Sequence, residues 1–238
     1  MDAADYALFS LALIMAGLLA AGASKATRRA GGPNATRVGL WVVAALCGWL
    51  ALVTLLTQVG VFADPLALPP RVLFLPLAAF IAMALVLRTT AARRLIAVVP
   101  RHWPIAAQTF RVGVELVLFA YYTAGRAPEQ ITFAGRNFDV LVGASAPIVA
   151  WLLATGRVGR GWAIGWNIAG LVVLANTVVT VVTSAPGPLH LDWDGPPLTA
   201  ITEWPVVWLP ALLMPTAVFL HVVSLRQMLA AQSKTPHS

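Results

Sequence analysis

The sequence predicts an all-α polytopic membrane protein with seven transmembrane helices, its N-terminus outside the cell and its C-terminus inside. Three observations support this fold class. Of the 238 residues, 59% are hydrophobic and only 11% are charged, whereas a soluble domain carries about 25% charged residues. Apolar runs of membrane-spanning length recur along the chain, and the charges between successive runs alternate in sign.

The predicted spans follow from the length of the apolar runs. A helix needs about 20 predominantly apolar residues to cross the hydrocarbon of a bilayer. Seven stretches approach this length: 6–23, 38–61, 71–88, 105–123, 138–155, 162–183 and 203–227. They occupy most of the chain, so we expect a single transmembrane domain over residues 1–238 and no separate soluble domain.

The charges of the connecting segments predict the orientation. One set of alternate connections holds twelve basic residues: Lys25, Arg28, Arg29, Arg37, Arg88, Arg93, Arg94, Arg101, Arg157, Arg160, Arg226 and Lys234. The other set holds eight acidic residues and three arginines: Asp2, Asp5, Asp64, Glu129, Asp139, Asp192, Asp194 and Glu203, with Arg71, Arg126 and Arg136. Short loops rich in lysine and arginine stay in the cytoplasm. The basic set is therefore expected inside, and the net charge of +7 reflects topology and anionic lipid rather than a nucleic-acid partner.

The first span is predicted to be a retained helix rather than a signal peptide. A signal peptide has a basic start, but this chain begins with two acidic residues, Asp2 and Asp5, and its positive cluster follows the apolar run. Cys47 is the single cysteine, so no disulfide is possible within one chain.

Two patterns of small residues and prolines predict local helix geometry. Pro205, Pro210 and Pro215 recur every five residues and predict a kinked or locally unwound seventh span. A smooth face on the sixth span predicts close helix packing, inside the chain rather than between copies; it is formed by Gly161, Gly165 and Ala169. A homo-oligomer remains the alternative.

The fourth span carries the ionisable groups. Gln108, Arg111, Glu115 and Tyr122 fall on one helical face. Arg111 and Glu115 are one turn apart, which predicts a direct ion pair between them. Glu115 lies near the middle of the span, where an ionisable side chain is costly and is usually functional.

Helical rise places the other polar residues in layers. At about 1.5 Å per residue, one layer lies in the inner half: Gln108, Arg111, Asn167 and His221. Asp139 is expected in the outer half with Asn137 above it. A central carboxylate between these layers suits a path for a proton or a small polar solute. The alternative is structural: Arg111 and Glu115 neutralise each other, Asn167 and His221 bond neighbouring helices, and Asp139 caps a helix N-terminus.

The absence of particular residues and motifs from the sequence argues against several functions. No lysine lies in any predicted span, which excludes a retinal Schiff base. The chain has no Walker A, Gly-x-Ser-x-Gly or His-Glu-x-x-His motif. We therefore assign no catalytic residue, cofactor or metal site.

Several stretches in the second half of the chain resemble one known family. They are QTFRVGVELVLF (108–119), ITFAGRNFDVLVG (131–143), GWNIAGLVVLAN (165–176), SAPGPL (184–189) and PVVWLPALLMPTAVFLHVVSLRQM (205–228). They are similar to an uncharacterised family of small seven-helix bacterial inner-membrane proteins, over about residues 105–228. The resemblance implies a location in the bacterial inner membrane and brings no activity with it. It also places four residues in distinctive sequence: Arg111, Glu115, Asn137 and Asp139.

The leading functional prediction is a carrier or binding protein for a small solute, linked to proton movement. Glu115 is its central titratable group, and Arg111 either pairs with Glu115 or holds an anionic substrate. A membrane scaffold or assembly subunit is one alternative. An intramembrane enzyme that modifies a lipid, with Glu115 or His221 as the acid–base group, is another. The expected partners are the lipid bilayer, a small polar or anionic ligand and, in an oligomer, further copies of the chain.

Overall fold

The computed structural model describes residues 1–64 and 66–230, and all regular secondary structure within them is helical. Its helices are α1 Ala3–Arg29, α2 Ala35–Gln58, α3 Phe74–Arg88, α4 Thr90–Val98, α5 His102–Ala107, α6 Phe110–Thr123, α7 Asp139–Ala154, α8 Arg160–Ser184 and α9 Met214–Ala230. A 3-10 turn, Arg71–Leu73, leads into α3, and a π-helical turn, Leu209–Leu213, leads into α9. Lys234, predicted to lie on the inner side, falls outside the described residues.

Five helical stretches are long and apolar enough to cross a membrane: Ala3–Arg29, Ala35–Gln58, Arg71–Arg88, Arg160–Ser184 and Leu209–Ala230. They correspond to the first, second, third, sixth and seventh predicted spans. The fourth, 105–123, is divided between α5 and α6 by a break at Gln108 and Thr109. The fifth, 138–155, is the 16-residue α7. The all-α prediction is confirmed, and the described helices are compatible with a multi-pass membrane protein.

Large apolar side chains cover much of the surface of the bundle. Trp41 is 70% exposed, and Leu55, Leu85 and Val172 are each more than half exposed. A soluble monomer rarely exposes apolar surface on this scale. These faces are therefore compatible with contact to lipid.

The α1–α2 hairpin packs through small residues. Ala12, Ala16 and Ala20 are buried at four-residue spacing along one face of α1. Across from them, a Cβ atom added to Gly39 would lie 2.0 Å from the Ser24 Oγ. The two helices therefore approach closely enough that Gly39 has no room for a side chain unless Ser24 moves.

The two predictions about prolines and small residues have different outcomes. The proline-rich seventh span is locally unwound, as predicted. It begins with the π-helical turn Leu209–Leu213 and not at residue 203. The predicted packing of the smooth face of α8 inside the chain is wrong: apart from the chain neighbours and the nearby backbone of α8 itself, no atom of the described residues lies within 4 Å of a Cβ added to Gly161 or Gly165. The close approach uses Gly170 instead, where an added Cβ would lie 2.5 Å from the His221 Cε1.

Residues 124–138 fold back along α6, and we call them the returning segment. α6 ends in a tight turn in which Gly125 has a φ of +70° and the Arg126 N–H bonds the Tyr121 carbonyl. Gly143 of α7 packs against Val112 of α6, since an added Cβ would lie 2.7 Å from the Val112 N. The first residue of α7, one turn earlier, is thus level with Glu115. α6 continues eight residues past Glu115, or about 12 Å at ~1.5 Å per residue. The returning segment runs antiparallel to this part of α6 and brings the chain back to the level of Glu115.

Candidate functional site

Arg111 forms a buried two-point ion pair with Asp139. Its Nε donates to the Asp139 Oδ2 at 2.9 Å, and its Nη2 donates to Oδ1. Arg111 is 1% exposed and Asp139 is 5% exposed. The predicted pairing of Arg111 with Glu115 is wrong, because the returning segment places Asp139 on the facing helix, where it meets the planar guanidinium at both oxygens.

Only one carboxyl oxygen of Glu115, Oε1, accepts a hydrogen bond from a side chain among the described residues. The Asn137 Nδ2 donates to the Glu115 Oε1 and also, at 3.0 Å, to the Ile131 carbonyl. Glu115 is fully buried, and its Oε2 has no hydrogen-bond partner among the described residues. The placement of Asn137 and Asp139 in a separate outer layer is therefore wrong, since both reach the level of Glu115.

Asn137 also joins Glu115 to the neighbouring helix α8. Its Oδ1 accepts a hydrogen bond from the Thr177 Oγ1 at 2.6 Å and from the Asp139 N–H at 3.1 Å. The Thr177 Oγ1 also lies 3.1 Å from the Asp139 Oδ1, so the two acceptors compete for its single proton. Sequence reasoning did not identify Thr177. Its signal was its position three residues after Leu174 and seven after Gly170, beside the buried face of α8.

Three residues of the predicted inner layer meet in the structure. The Arg111 Nη1 lies 3.1 Å from the His221 Nε2, and the His221 Nδ1 lies 2.9 Å from the Asn167 Oδ1. Arginine can only donate, so Nε2 accepts, and Nδ1 carries the single ring proton and donates to Asn167. The Asn167 Nδ2 donates in turn to the Ser224 Oγ at 2.9 Å. His221 is therefore neutral in this arrangement.

Gln108 lies apart from the other six candidates. Its Nε2 donates to the Ala217 carbonyl of α9 at 3.0 Å, and its Oε1 has no hydrogen-bond partner among the described residues. It therefore anchors the break between α5 and α6 to α9. The remaining candidates form one connected network: Glu115, Asn137, Asp139, Arg111, His221 and Asn167.

Further polar contacts fix the returning segment in place. The Gln130 Nε2 donates to the Ser184 Oγ at 3.2 Å, and the Asn176 Nδ2 donates to the Arg136 carbonyl at 2.8 Å. These bonds attach the segment to α8 at two levels. The positions of Asn137 and Asp139 are therefore set by the whole segment and not by α7 alone.

An ionic cluster joins the start of α1 to the start of the returning segment. Arg126 contacts Asp2 at 2.7 Å and Asp5 at 3.1 Å, and the Tyr121 hydroxyl donates to Asp5 at 2.7 Å. The Asp5 N–H, together with the Arg126 guanidinium, lowers the pKa of Asp2 below its usual 3.8. We call this side of the bundle, where Glu203 also lies 4.0 Å from Arg126, the acidic end.

A cavity of about 620 Å³ extends from the acidic end to the buried network. Arg111, Glu115, Asp139 and Thr177 form its floor, and its walls are mainly apolar side chains of α6, α8 and the π-helical turn. Small-molecule sites have this volume and this combination of apolar walls with a few polar groups. The arrangement can therefore bind a ligand and present it to a buried carboxyl group.

The comparison with known proteins identifies a family. A model described as a domain of unknown function (DUF8737) matches residues 68–229, which is consistent with the resemblance to an uncharacterised family. No curated protein and no solved structure matches the chain. The matched region contains the whole polar network, whereas α1 and α2 lie before it. Because the match covers more than half of the sequence, the chain belongs to the DUF8737 family.

Proposed function

We propose that the chain crosses the bacterial inner membrane seven times, with its N-terminus outside and its C-terminus inside. The five long apolar helices and the alternating charges of the connections support this topology. Residues 102–123, taken across the break between α5 and α6, extend over about 33 Å at ~1.5 Å per residue. α7 covers about 24 Å on the same scale, and the returning segment, which connects the fourth and fifth spans, extends from there to the acidic end. In this orientation the cavity opens to the outside.

Accessible cysteines test the topology. Cys47→Ala removes the single native thiol, and one cysteine is then introduced at Asp192 or at Arg157. We expect an impermeant maleimide to label Asp192→Cys on intact cells, and Arg157→Cys only after the cells are permeabilised. The opposite labelling pattern contradicts the orientation.

We propose that the protein binds a small solute in the cavity and carries it, linked to proton movement at Glu115. The unpartnered Oε2 of Glu115 carries this proposal, because a buried carboxyl oxygen without a partner costs free energy and because Glu115 is one of the residues that line a ligand-sized cavity. Behind the floor, His221, Asn167 and Ser224 continue as a hydrogen-bonded file along α8 and α9. Buried polar side chains of this kind mark substrate and ion pathways in membrane proteins.

The geometry weighs against two of the alternatives. Arg111 is not free to hold an anionic substrate, because its guanidinium is engaged by Asp139 and His221. His221 is a poor acid–base group for a lipid-modifying enzyme, since both ring nitrogens have partners. A scaffold accounts for the saturated Arg111–Asp139 pair. It does not account for the cavity or for the free oxygen of Glu115.

Thermal unfolding of the purified protein tests the binding function. The wild type, Glu115→Gln and the control Glu129→Gln are heated with a panel of metabolites and lipid headgroups. We expect at least one compound to raise the unfolding temperature of the wild type and of Glu129→Gln but not of Glu115→Gln. If no compound does so and Glu115→Gln is much less stable, the buried carboxyl is structural and the scaffold replaces the carrier. Turnover of a lipid in the panel would instead establish the enzyme.

A further inference from the structure

The ionisable groups buried at the cavity floor include one more carboxyl group than positively charged groups. Two carboxyl groups, Glu115 and Asp139, face one guanidinium, Arg111. His221 adds no charge, because its Nε2 accepts from Arg111. The other groups that contact the two carboxyls, Asn137 from the returning segment and Thr177 from α8, are neutral.

The missing charge belongs at Glu115. Asp139 has both oxygens on Arg111, so that pair is neutral as it stands. Glu115 has the Asn137 amide and the nearby Phe133 backbone, both neutral, and its Oε2 has no hydrogen-bond partner among the described residues. A buried carboxylate without a counter-charge is strongly unfavourable. In the empty cavity a proton on Glu115 restores neutrality.

We infer that the ligand of the cavity is an organic ammonium ion with an apolar body, and that it takes the place of the proton on Glu115. The inference rests on the proposed binding function and names its ligand class. An ammonium group supplies both the N–H donor that Oε2 lacks and the positive charge that the floor lacks.

The rest of the cavity agrees with this ligand class. Its walls are mainly apolar, which suits a hydrocarbon or aromatic body. Trp204 lines the cavity, and its Nε1–H is buried without a partner among the described residues, so it can donate to an acceptor on the ligand body. Among the described residues outside the floor, two carboxylates, Asp64 and Glu203, and one cation, Arg71, line the cavity, and Glu203 also lies 4.0 Å from Arg126. These charges are close to balanced, so the preference for a cationic ligand comes from the floor.

The exchange balances without any further reactant. The ammonium ion enters with its own charge, the O–H bond of Glu115 breaks, and the proton passes to water. The carboxylate that remains forms an ion pair with the ammonium group. No other bond forms or breaks, so one proton is released for each ligand bound.

Matched ligands test the inference by titration calorimetry on the full-length protein in lipid nanodiscs. Phenylbutylamine, phenylbutanol and phenylbutyrate share one apolar body and carry a cationic, a neutral and an anionic head. We expect the amine to bind at least about tenfold more tightly than phenylbutyrate. Titrations in two buffers of different ionisation enthalpy should show release of about one proton per amine.

Three variants separate the site from a general loss of folding. Glu115→Gln should abolish both amine binding and proton release, and Glu129→Gln should retain both. Val178→Phe places a larger side chain in the α8 wall of the cavity and leaves the Glu115 carboxyl group in the protein, and should weaken amine binding at least about tenfold. Unchanged amine binding in Val178→Phe would place the amine outside the cavity and overturn the inference.

The remaining outcomes each overturn a defined part of the proposal. Tighter binding of phenylbutyrate than of the amine overturns the ligand class and leaves cavity binding in place. Amine binding without proton release overturns the exchange on Glu115. If none of the three ligands binds but a compound of the thermal panel stabilises the wild type through Glu115, the ligand class fails and the binding function stands. If neither happens, both fail.

Discussion

The α1–α2 hairpin and the bundle of α6 to α9 are built on different interactions. Buried alanines and a close approach at Gly39 hold the hairpin together, and the buried polar side chains of α1, Asp5 and Thr27, lie near its two ends. The α6–α9 bundle buries a connected set of charged and amide groups at its centre. Apolar packing can be satisfied by many sequences, whereas each buried polar group needs a specific partner. The family model matches the polar bundle and not the hairpin.

Breaking the central ion pair should have the largest effect. Arg111→Met leaves Asp139 buried beside Glu115 with no counter-charge, and we expect a loss of about 3–5 kcal/mol in the free energy of unfolding. Replacing both partners, Arg111→Met with Asp139→Leu, should recover most of this loss because no charge is stranded. Reversible denaturant unfolding in mixed micelles measures both variants. A double variant as unstable as the single one would mean that the pair fixes the fold in some other way.

A substitution in the hairpin should cost stability and spare the site. Leu8 is fully buried in α1, so Leu8→Ala should cost about 2–5 kcal/mol through lost burial and a residual cavity. Leu18→Ala, on the exposed side of the same helix, is the matched control and should change little. Ligand affinity, measured below the unfolding temperature of each variant, should stay at the wild-type value in both. A loss of affinity in Leu8→Ala would show that the hairpin shapes the cavity floor.

Two glycines on α8 sharpen the contrast between packed and open helix faces. Gly170→Ala places a methyl group against the His221 ring, and overpacking of this kind costs about 1–3 kcal/mol. Gly165→Ala, on the same helix, meets open space and should be neutral or slightly stabilising because alanine favours a helix. Thermal unfolding of the pair checks the difference. Equal stability would indicate that His221 can move without cost.

The smallest effect is expected where the two regions are joined at the acidic end. Asp2 has a lowered pKa, so its contribution to stability is present above its unfolded pKa and is lost as the pH falls through the lower folded pKa. Wild type should therefore be slightly more stable than Asp2→Asn near pH 7, and the difference should vanish well below about pH 4. A difference that persists in strong acid would contradict an effect of the Asp2 charge, since asparagine still provides the helix cap.

The sequence predicted the helices better than it predicted their partners. Apolar length alone identified the five long helices, since a run of about 20 apolar residues has few other stable arrangements in lipid. The α5–α6 break and the short α7 were missed, because both depend on contacts between helices. Gln108 closes the break by bonding the carbonyl of Ala217, more than a hundred residues away in the chain.

The same limit explains the error at Arg111. Helical spacing makes Glu115 a natural partner on the same helix, and nothing in the spacing of Asp139 reveals that it lies at the same level. That information resides in the returning segment, whose fold depends on bonds to α8 such as Gln130 to Ser184. Of the predicted layer, Arg111, Asn167 and His221 lie close together, because all three lie on regular helices where rise per residue is a good guide, whereas Gln108 bonds Ala217 instead.

Asn137 gives the cavity floor a fixed width. Its amide nitrogen donates to Glu115 on α6, and its amide oxygen accepts from Thr177 on α8. One short side chain that belongs to neither helix therefore links the two helices. Aspartate cannot replace it, since a carboxylate has no donor, and leucine offers neither bond. Moving α6 and α8 apart at this level breaks one of these two hydrogen bonds. At this level the separation of α6 and α8 is therefore set by one planar amide with two directional hydrogen bonds rather than by compressible apolar contacts.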